Sequence, residues 1–350
     1  MNALNLPALR GHNAAVVLGL LRGREGVSRG EIAGGSGLTP QAVSKILARL
    51  RAAGLVAEAG RGESTGGKPR TLLRLVPEAG YAAGVHLDRG RLLVLLVDLL
   101  GRRLDQVDEP LEPGDPEAVV ERVAQAVERV AAGRPLLGVG VGTPGPLDHA
   151  AGVLHRVTGL PQWDGFPLRA RLGARTGTPV AIDKDTNAAV LAEPAGGSRS
   201  SVYVHLGSGL GAGLVLDGAL YRGARTNAGE FGHQTVQLDG PRCECGNRGC
   251  LEALCLAALR AGDAPAAARL MGAGVANLVR LLDVDRVVLG GAAVLAEPAV
   301  FVRGVAAELA ERIPDPAWQT VPVTVTGAGE QAVAAGAAEL VLAPLFGREG

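Results

Sequence analysis

Apolar positions along the chain keep two different periods. Near the N-terminus the period is helical. Residues 12–22 place apolar side chains at helix spacing, and Val43, Ile46, Leu47 and Leu50 fall at i, i+3, i+4 and i+7, a single buried stripe. Start signals agree with that reading. Ser28 precedes Glu31 by three residues, the pattern of a capping box, and Thr39 precedes Pro40, a cap followed by a residue suited to the first helical turn. Gly54 closes this helix, and short apolar runs at 55–57 and 72–75 read as two strands around a basic, Gly-rich tip at 61–70.

From residue 81 the pattern changes. Runs at 81–87, 92–99 and 104–109 read as three consecutive strands, followed by a helix at about 116–132 and a strand at 136–141. A helix near 167–176, a strand at 180–182 and a helix from Thr186 to about Glu193 come next. Strands at 201–206 and 212–216 then flank the glycine-rich turn 207–211, and 286–289 runs into Gly290-Gly291. Two α/β units, each opening on a hairpin, predict a duplicated fold with a cleft between its halves.

Composition adds bounds. At 350 residues the chain is expected to hold two or three domains. Charge is balanced overall but unevenly placed: the first 80 residues carry 11 basic and 5 acidic side chains, the rest 24 and 30. A basic head on an acidic body is a nucleic-acid footprint confined to the head. No apolar run approaches the ~20 residues that span a bilayer, and the start of the chain lacks the marks of a signal peptide. Together with few, clustered cysteines, this predicts a cytoplasmic protein.

Three of the four cysteines lie in one stretch, residues 229–252. His233, Cys243, Cys245 and Cys250 follow the order H-x9-C-x-C-x4-C, four soft or borderline ligands of the kind zinc takes at tetrahedral angles. Gly246 and Gly249 let the chain reverse so that Cys250 meets the first pair. Buried free thiols are the plainer alternative, and clustering argues against them. Cys255, helix interior by pattern, is the other thiol that could complete such a set.

Three helices followed by a hairpin predict a winged helix-turn-helix. Its second motif helix would enter a major groove, with Thr39, Gln41 and Lys45 on the facing surface and Gln41 and Lys45 as base readers. Arg61, Lys68 and Arg70 on the wing would hold phosphates or a minor groove. Gly62-x4-Gly67-Lys68 has Walker A spacing, but Pro69 stands where a magnesium-binding hydroxyl is needed, and the segment is a hairpin.

Nearly the whole chain resembles the ROK family, which groups transcriptional repressors and sugar kinases on a ribonuclease H-like, actin-like ATPase fold. The resemblance rests on Gly229-Glu230-Phe231-Gly232-His233 followed by Cys243-x-Cys245-Gly246-x-x-Gly249-Cys250-Leu251-Glu252. It implies a winged-helix domain at 1–78, a first α/β lobe at 79–193 to which a helix at about 331–350 returns, and a second lobe at 194–330 with the zinc loop. It implies a structural zinc on His233, Cys243, Cys245 and Cys250, and sugar contacts from Asp185, Glu230, His233 and Glu252. Asp185 matches the general base of the kinases. By its own position, Asp185 also reads as the N-cap of the helix that follows.

Where the kinases carry Asp-x-Gly-Gly-Thr, this chain has His86-Leu87-Asp88-Arg89-Gly90. Asp88 would set a negative charge beside ATP oxygens, at a cost of several kcal/mol at ~4 Å in a partly desolvated cleft. The expectation is therefore no kinase activity. Lys184 stands where the family has a sugar-binding Asn; it is expected either to pair with an acidic group of the ligand or to swing into solvent. The segment 253–282, with a break at 261–263, is shorter than in the family. The functional expectation is a sugar-responsive transcriptional regulator, most simply a repressor, acting on operator DNA as a homodimer or homotetramer. The rival expectation is an active sugar kinase with a fused DNA-binding domain.

Overall fold

A computed structural model describes residues 11–62, 70–112, 114–157, 161–194, 197–313 and 319–348. The chain opens with helices α1 (His12–Leu21), α2 (Arg29–Ser36) and α3 (Pro40–Ala52), with the short strand β1 (Val27–Ser28) before α2. The local signals act as read: Ser28 Oγ accepts from Glu31 N while the Glu31 carboxylate accepts from Ser28 N at 2.8 Å, and Thr39 Oγ1 accepts from Ala42 N. Strands β2 (Val56–Arg61) and β3 (Thr71–Leu75) form an antiparallel hairpin to which β1 adds, in the order β1-β3-β2. Val43, Leu47 and Leu50 are buried beneath it and Ile46 half-buried, because the i, i+3, i+4, i+7 stripe is the only apolar face of α3.

The body consists of two five-stranded sheets of the same topology. In the first lobe, β4 (Tyr81–Leu87), β5 (Arg91–Asp98) and β6 (Arg103–Pro110) form an antiparallel meander; helix α4 (Pro116–Ala131) leads to β7 (Leu136–Thr143). A two-stranded ribbon, β8 (Leu147–Asp148) and β9 (Val153–Leu154), and helix α5 (Leu168–Thr176) precede β10 (Val180–Lys184) and helix α6 (Asp185–Ala192). The order is β10-β7-β4-β5-β6, with β7 parallel to both β4 and β10. The second lobe repeats it. Strands β11 (Ser201–Leu206), β12 (Leu210–Leu216) and β13 (Ala219–Leu220) form the meander. Helices α7 (Leu251–Arg260) and α8 (Ala264–Leu282), β14 (Arg286–Gly290), α9 (Ala292–Ala296), α10 (Pro298–Arg312) and β15 (Val323–Val325) complete it, in sheet order β13-β12-β11-β14-β15, and α11 (Ala332–Leu342) follows. Residues 261–263 do separate two helices, α7 and α8.

Strand β5 is apolar without interruption from Leu92 to Val97 and buried throughout, since it is covered on both faces. Strand β6 is the edge and is mostly exposed. Helix α11 lies against β4, β7 and α6, so the last helix of the chain packs on the first lobe. The approach is backbone-close: a Cβ on Gly140 would lie 1.7 Å from Ala337 O, and one on Gly336 would lie 1.7 Å from Ala188 O. Only glycine fits at either place. The core of the N-terminal unit continues into the body through Ala82, Val97, Leu137, Ala338, Leu342 and Phe346. Among the described residues, no helix is long and apolar enough to cross a membrane.

Candidate ligand cleft and metal centre

The cleft between the lobes is floored by the ends of β10 and α6. Helix α6 begins at Asp185, and Lys184, not Asp185, occupies the cap position, so the expected capping role of Asp185 is corrected. Lys184 holds the extended backbone that turns strand into helix, and the Asp185 carboxylate accepts from the neighbouring Thr186 N at 2.6 Å. That leaves its other oxygen facing a space of about 710 Å³ lined by Lys184, Thr186, Glu230, His233 and Glu252. Burial, reinforced by the charge on Asp88, pushes the Asp185 carboxyl up to about 7. An acid tuned there is half-ionised at neutral pH and can either donate to or accept from a ligand hydroxyl.

Lys184 does not swing into solvent. It is 3% exposed, and its Nζ donates to Glu230 Oε1 at 3.0 Å and to Ala228 O at 2.5 Å. Burying an ammonium requires such partners, and the loop 221–230 supplies them from the second lobe. Two of its three donors are thereby engaged within the protein. Glu252 reaches across to the turn after β11, where its Oε2 accepts from Leu210 N at 2.7 Å.

Beneath these groups lies a network with no distinct mark in the sequence. Asp183 is fully buried, and its carboxylate accepts from Lys184 N, Asn187 Nδ2 and Arg222 Nε, each at 2.7–2.8 Å. His149 Nδ1 faces Ile182 O at 2.8 Å, and its backbone N donates to Thr226 Oγ1. Arg222 and Thr226 belong to the second lobe, so the floor of the cleft is tied across the lobes. Nothing in the spacing of Asp183 and Arg222 predicts their pairing; the three-charge run Asp183-Lys184-Asp185 was the one available signal.

The four predicted metal ligands converge. The ligand atoms of His233, Cys243, Cys245 and Cys250 all lie within 4.8 Å of one another. Cys245 Sγ is 3.7 Å from Cys250 Sγ, and Cys243 Sγ is 3.8 Å from His233 Nδ1. A tetrahedral zinc with ~2.3 Å bonds to sulfur sets its thiolates about 3.8 Å apart, which matches. Gly246 and Gly249 take positive φ, 97° and 65°, to make the reversal, and a Cβ on Gly249 would lie 1.5 Å from Gln237 O. Burial pushes the Cys250 thiol up to about 12 and raises Cys243 as well, so a cation is what would let these sulfurs ionise. The donor set therefore fits a divalent metal. Cys255 does not join it: its thiol is buried in α7 and donates to Ala267 O. His233 presents Nδ1 to the sulfurs and Nε2, 4.0 Å from Glu230 Oε2, to the cleft.

In the N-terminal unit Thr39, Gln41 and Lys45 are exposed on α3 and its cap, and Arg61 and Arg70 are exposed at the ends of the described hairpin. Lys68, and most of the segment with Walker A spacing, lie outside the described residues.

At the opening turn of the first lobe, His86 is 6% exposed and Asp88 receives a 3.3 Å hydrogen bond from Ser208 Oγ, on the matching turn of the second lobe. The two meander turns that face each other across the cleft are thus joined by a carboxylate and a hydroxyl.

Two repeated α/β lobes, a carboxylate-rich cleft between them and a His/Cys3 cluster beside it define a two-lobed protein of the actin-like ATPase fold with a candidate ligand cleft. The chain belongs to the ROK family, whose model matches residues 84–262. It is 31% identical to the xylose repressor of Caldicellulosiruptor bescii over 258 residues, 71% of this chain and 64% of that protein. The chain thus spans just under two thirds of the length of this curated relative. The ROK hexokinase of Thermus thermophilus has a similar structure, with 33% identity, a TM-score of 0.63 and coverage of 77% of this chain and 97% of the hexokinase. The fold is also shared with a ROK family transcriptional regulator described as a homologue of the E. coli MLC protein. That match has a TM-score of 0.78 and 24% identity, over 96% of this chain and 98% of the regulator.

Proposed function

We propose that the chain is a sugar-responsive transcriptional repressor. The head, residues 1–78, is a winged helix-turn-helix that binds operator DNA. The lobes, 79–193 with the returning C-terminal helix and 194–330, close on a sugar effector. Asp185, Glu230, His233 and Glu252 contact its hydroxyls. A structural zinc on His233, Cys243, Cys245 and Cys250 fixes the loop that presents Glu230 and the N-terminus of the helix that presents Glu252. The observation that carries this reading is the coexistence of a basic, exposed α3 face with a carboxylate-lined cleft in one chain whose core runs from the head into the first lobe. Likeness to a xylose repressor and to a regulator of similar fold supports it.

The effector acts by differential affinity. It favours one arrangement of the lobes, and the head, packed on the first lobe and on α11, moves with them. Two heads on a dimer or tetramer would read an operator of two half-sites. Because Lys184 is held by Glu230, an uncharged sugar suits the cleft better than the acidic ligand considered from sequence. Kinase activity is not part of this reading. Asp88 supplies a carboxylate where phosphate would need backbone amides, and Ser208 already binds it.

The test is selection of DNA sites from a random pool by the full chain, followed by release or strengthening of the selected site by a panel of monosaccharides. Selection of no site would sink the repressor reading. A parallel assay with ATP, magnesium and the same sugars addresses the kinase rival, whose mark is turnover that disappears in Asp185→Ala.

A further inference from the structure

Beside the sugar cleft lies a second space of about 550 Å³, lined by His86, Arg91, Tyr203, Leu295, Glu330 and Val333. The two spaces share Asp88, His205 and Ser208 as walls. The Asp88–Ser208 hydrogen bond stands at their boundary.

The second space contains polar groups with nothing to bind in the protein. Among the described residues, neither ring nitrogen of His86 has a partner, and His205 Nδ1 has none. His86 is 6% exposed, so these nitrogens are buried against the space rather than turned to solvent. Burial holds His86 down to about 4 and lowers His205, so both imidazoles are neutral at physiological pH. A neutral imidazole offers one donor and one acceptor. The cation present is already taken: Arg91 pairs with Asp108 at 2.6 Å and with Glu330 at 2.7 Å. With Asp88 and Glu330 on the walls, a phosphate meets no unpaired cation among the described residues that line this space. A hydroxyl group, donor and acceptor at once, is the complement of a neutral imidazole, and Leu295 and Val333 give the flat apolar wall that suits the C–H face of a sugar ring.

We propose that the cleft holds an uncharged saccharide of at least two units, the first at Asp185, Glu230, His233 and Glu252, the second on His86 and His205. This rests on the sugar-binding reading above and extends it from a monosaccharide to a glycoside. Hydroxyls near the linkage would replace the Asp88–Ser208 bond with their own bonds to both residues.

Calorimetric titration of the full chain with glucose, xylose, cellobiose, maltose and xylobiose tests this. One disaccharide is expected to bind at least about tenfold more tightly than its own monosaccharide, the scale of one added hydrogen bond to a buried group. His86→Leu is expected to erase that gain while leaving monosaccharide affinity unchanged, which also reports that the variant folds; His205→Leu, on a wall shared by both spaces, is expected to lose the gain as well. Equal affinities for mono- and disaccharides, or a gain that survives both variants, overturns the proposal and leaves the sugar-binding reading intact. Adenosine bound together with a monosaccharide, with no disaccharide gain, assigns the second space to a nucleoside and also overturns it. No saccharide binding at all, with or without Asp185→Asn, removes both readings.

Discussion

The Lys184 ammonium lies 3.0 Å from Glu230 Oε1 and is almost fully enclosed, whereas the Glu230 side chain is 41% exposed. The pair joins β10 of the first lobe to the loop before the metal cluster in the second. Its two ends are unequally solvated, so breaking it from either side has unequal consequences. Glu230→Ala leaves the buried ammonium with Ala228 O as its remaining acceptor and is expected to cost about 1–3 kcal/mol. Lys184→Met leaves a carboxylate that water can reach and is expected to cost less. Thermal unfolding of the two variants checks the order, and a larger loss for Lys184→Met contradicts it.

Asp185 makes stability depend on pH. Its folded-state value, about 7, lies above the ordinary carboxylate value, so the folded chain binds the extra proton. The stabilisation is complete below the unfolded value, near 4, and is lost as pH rises through about 7. A shift of that size corresponds to something on the order of 4 kcal/mol. His86, held down to about 4 by burial, acts in the opposite sense: its contribution is lost as pH falls from about 6.5 toward 4. Denaturant unfolding at pH 5 and pH 8 should therefore show Asp185→Asn gaining stability relative to the native chain at the higher pH. A difference that is flat with pH argues against a raised Asp185.

Metal removal tests the linkage between the His/Cys3 cluster and the cleft. His233 faces both, and Glu230 and Glu252 flank the ligands in sequence. One zinc per chain is expected by elemental analysis. Chelation or Cys243→Ser is expected to lower the melting temperature, by roughly 2–4 °C for each kcal/mol lost, and to abolish the sugar response. A chelated protein that keeps its full sugar affinity confines the metal to a purely structural role.

Arg22, the residue that ends α1, forms a two-pronged ion pair with Glu339 of α11, one contact at 2.9 Å, and stacks its guanidinium 4.4 Å over Phe346. Helix α11 also bears on α6, which starts at Asp185. Glu339→Gln is expected to keep DNA binding while reducing the ratio of DNA affinities with and without sugar several-fold, within the 5–150-fold range of ordinary coupling. Gel-shift titrations with and without the sugar measure it, and an unchanged ratio removes this contact from the route.

Arg61 and Arg70 lie exposed at the ends of the described β2–β3 hairpin, and Gln41 and Lys45 lie exposed on α3. Arg61→Ala and Arg70→Ala are each expected to weaken binding to all DNA sites alike and to reduce the salt slope by about 1. Gln41→Ala is expected to relax sequence preference at one base position while leaving that slope in place. Identical behaviour of the arginine and glutamine variants contradicts the assignment.

What was legible in the sequence was local. The Ser28/Glu31 capping box, the Val43–Leu50 stripe, the unbroken apolar run of β5 and the metal-ligand spacing each depend on neighbours along the chain, where period and short-range hydrogen bonding govern. The tight Cys loop was readable because its four ligands fall within eighteen residues and two glycines permit its turns. The tertiary structure decided what lies between elements distant in sequence. The sequence leaves Lys184 facing either ligand or solvent, whereas the fold gives it Glu230, 46 residues away. Asp183 and Arg222 likewise meet only in the folded chain, and His86 with His205 and Asp88 with Ser208 come together because the duplicated sheets set their opening hairpins face to face. A buried charge takes whatever partner the packing brings within reach, and no spacing rule along the chain encodes which one that is.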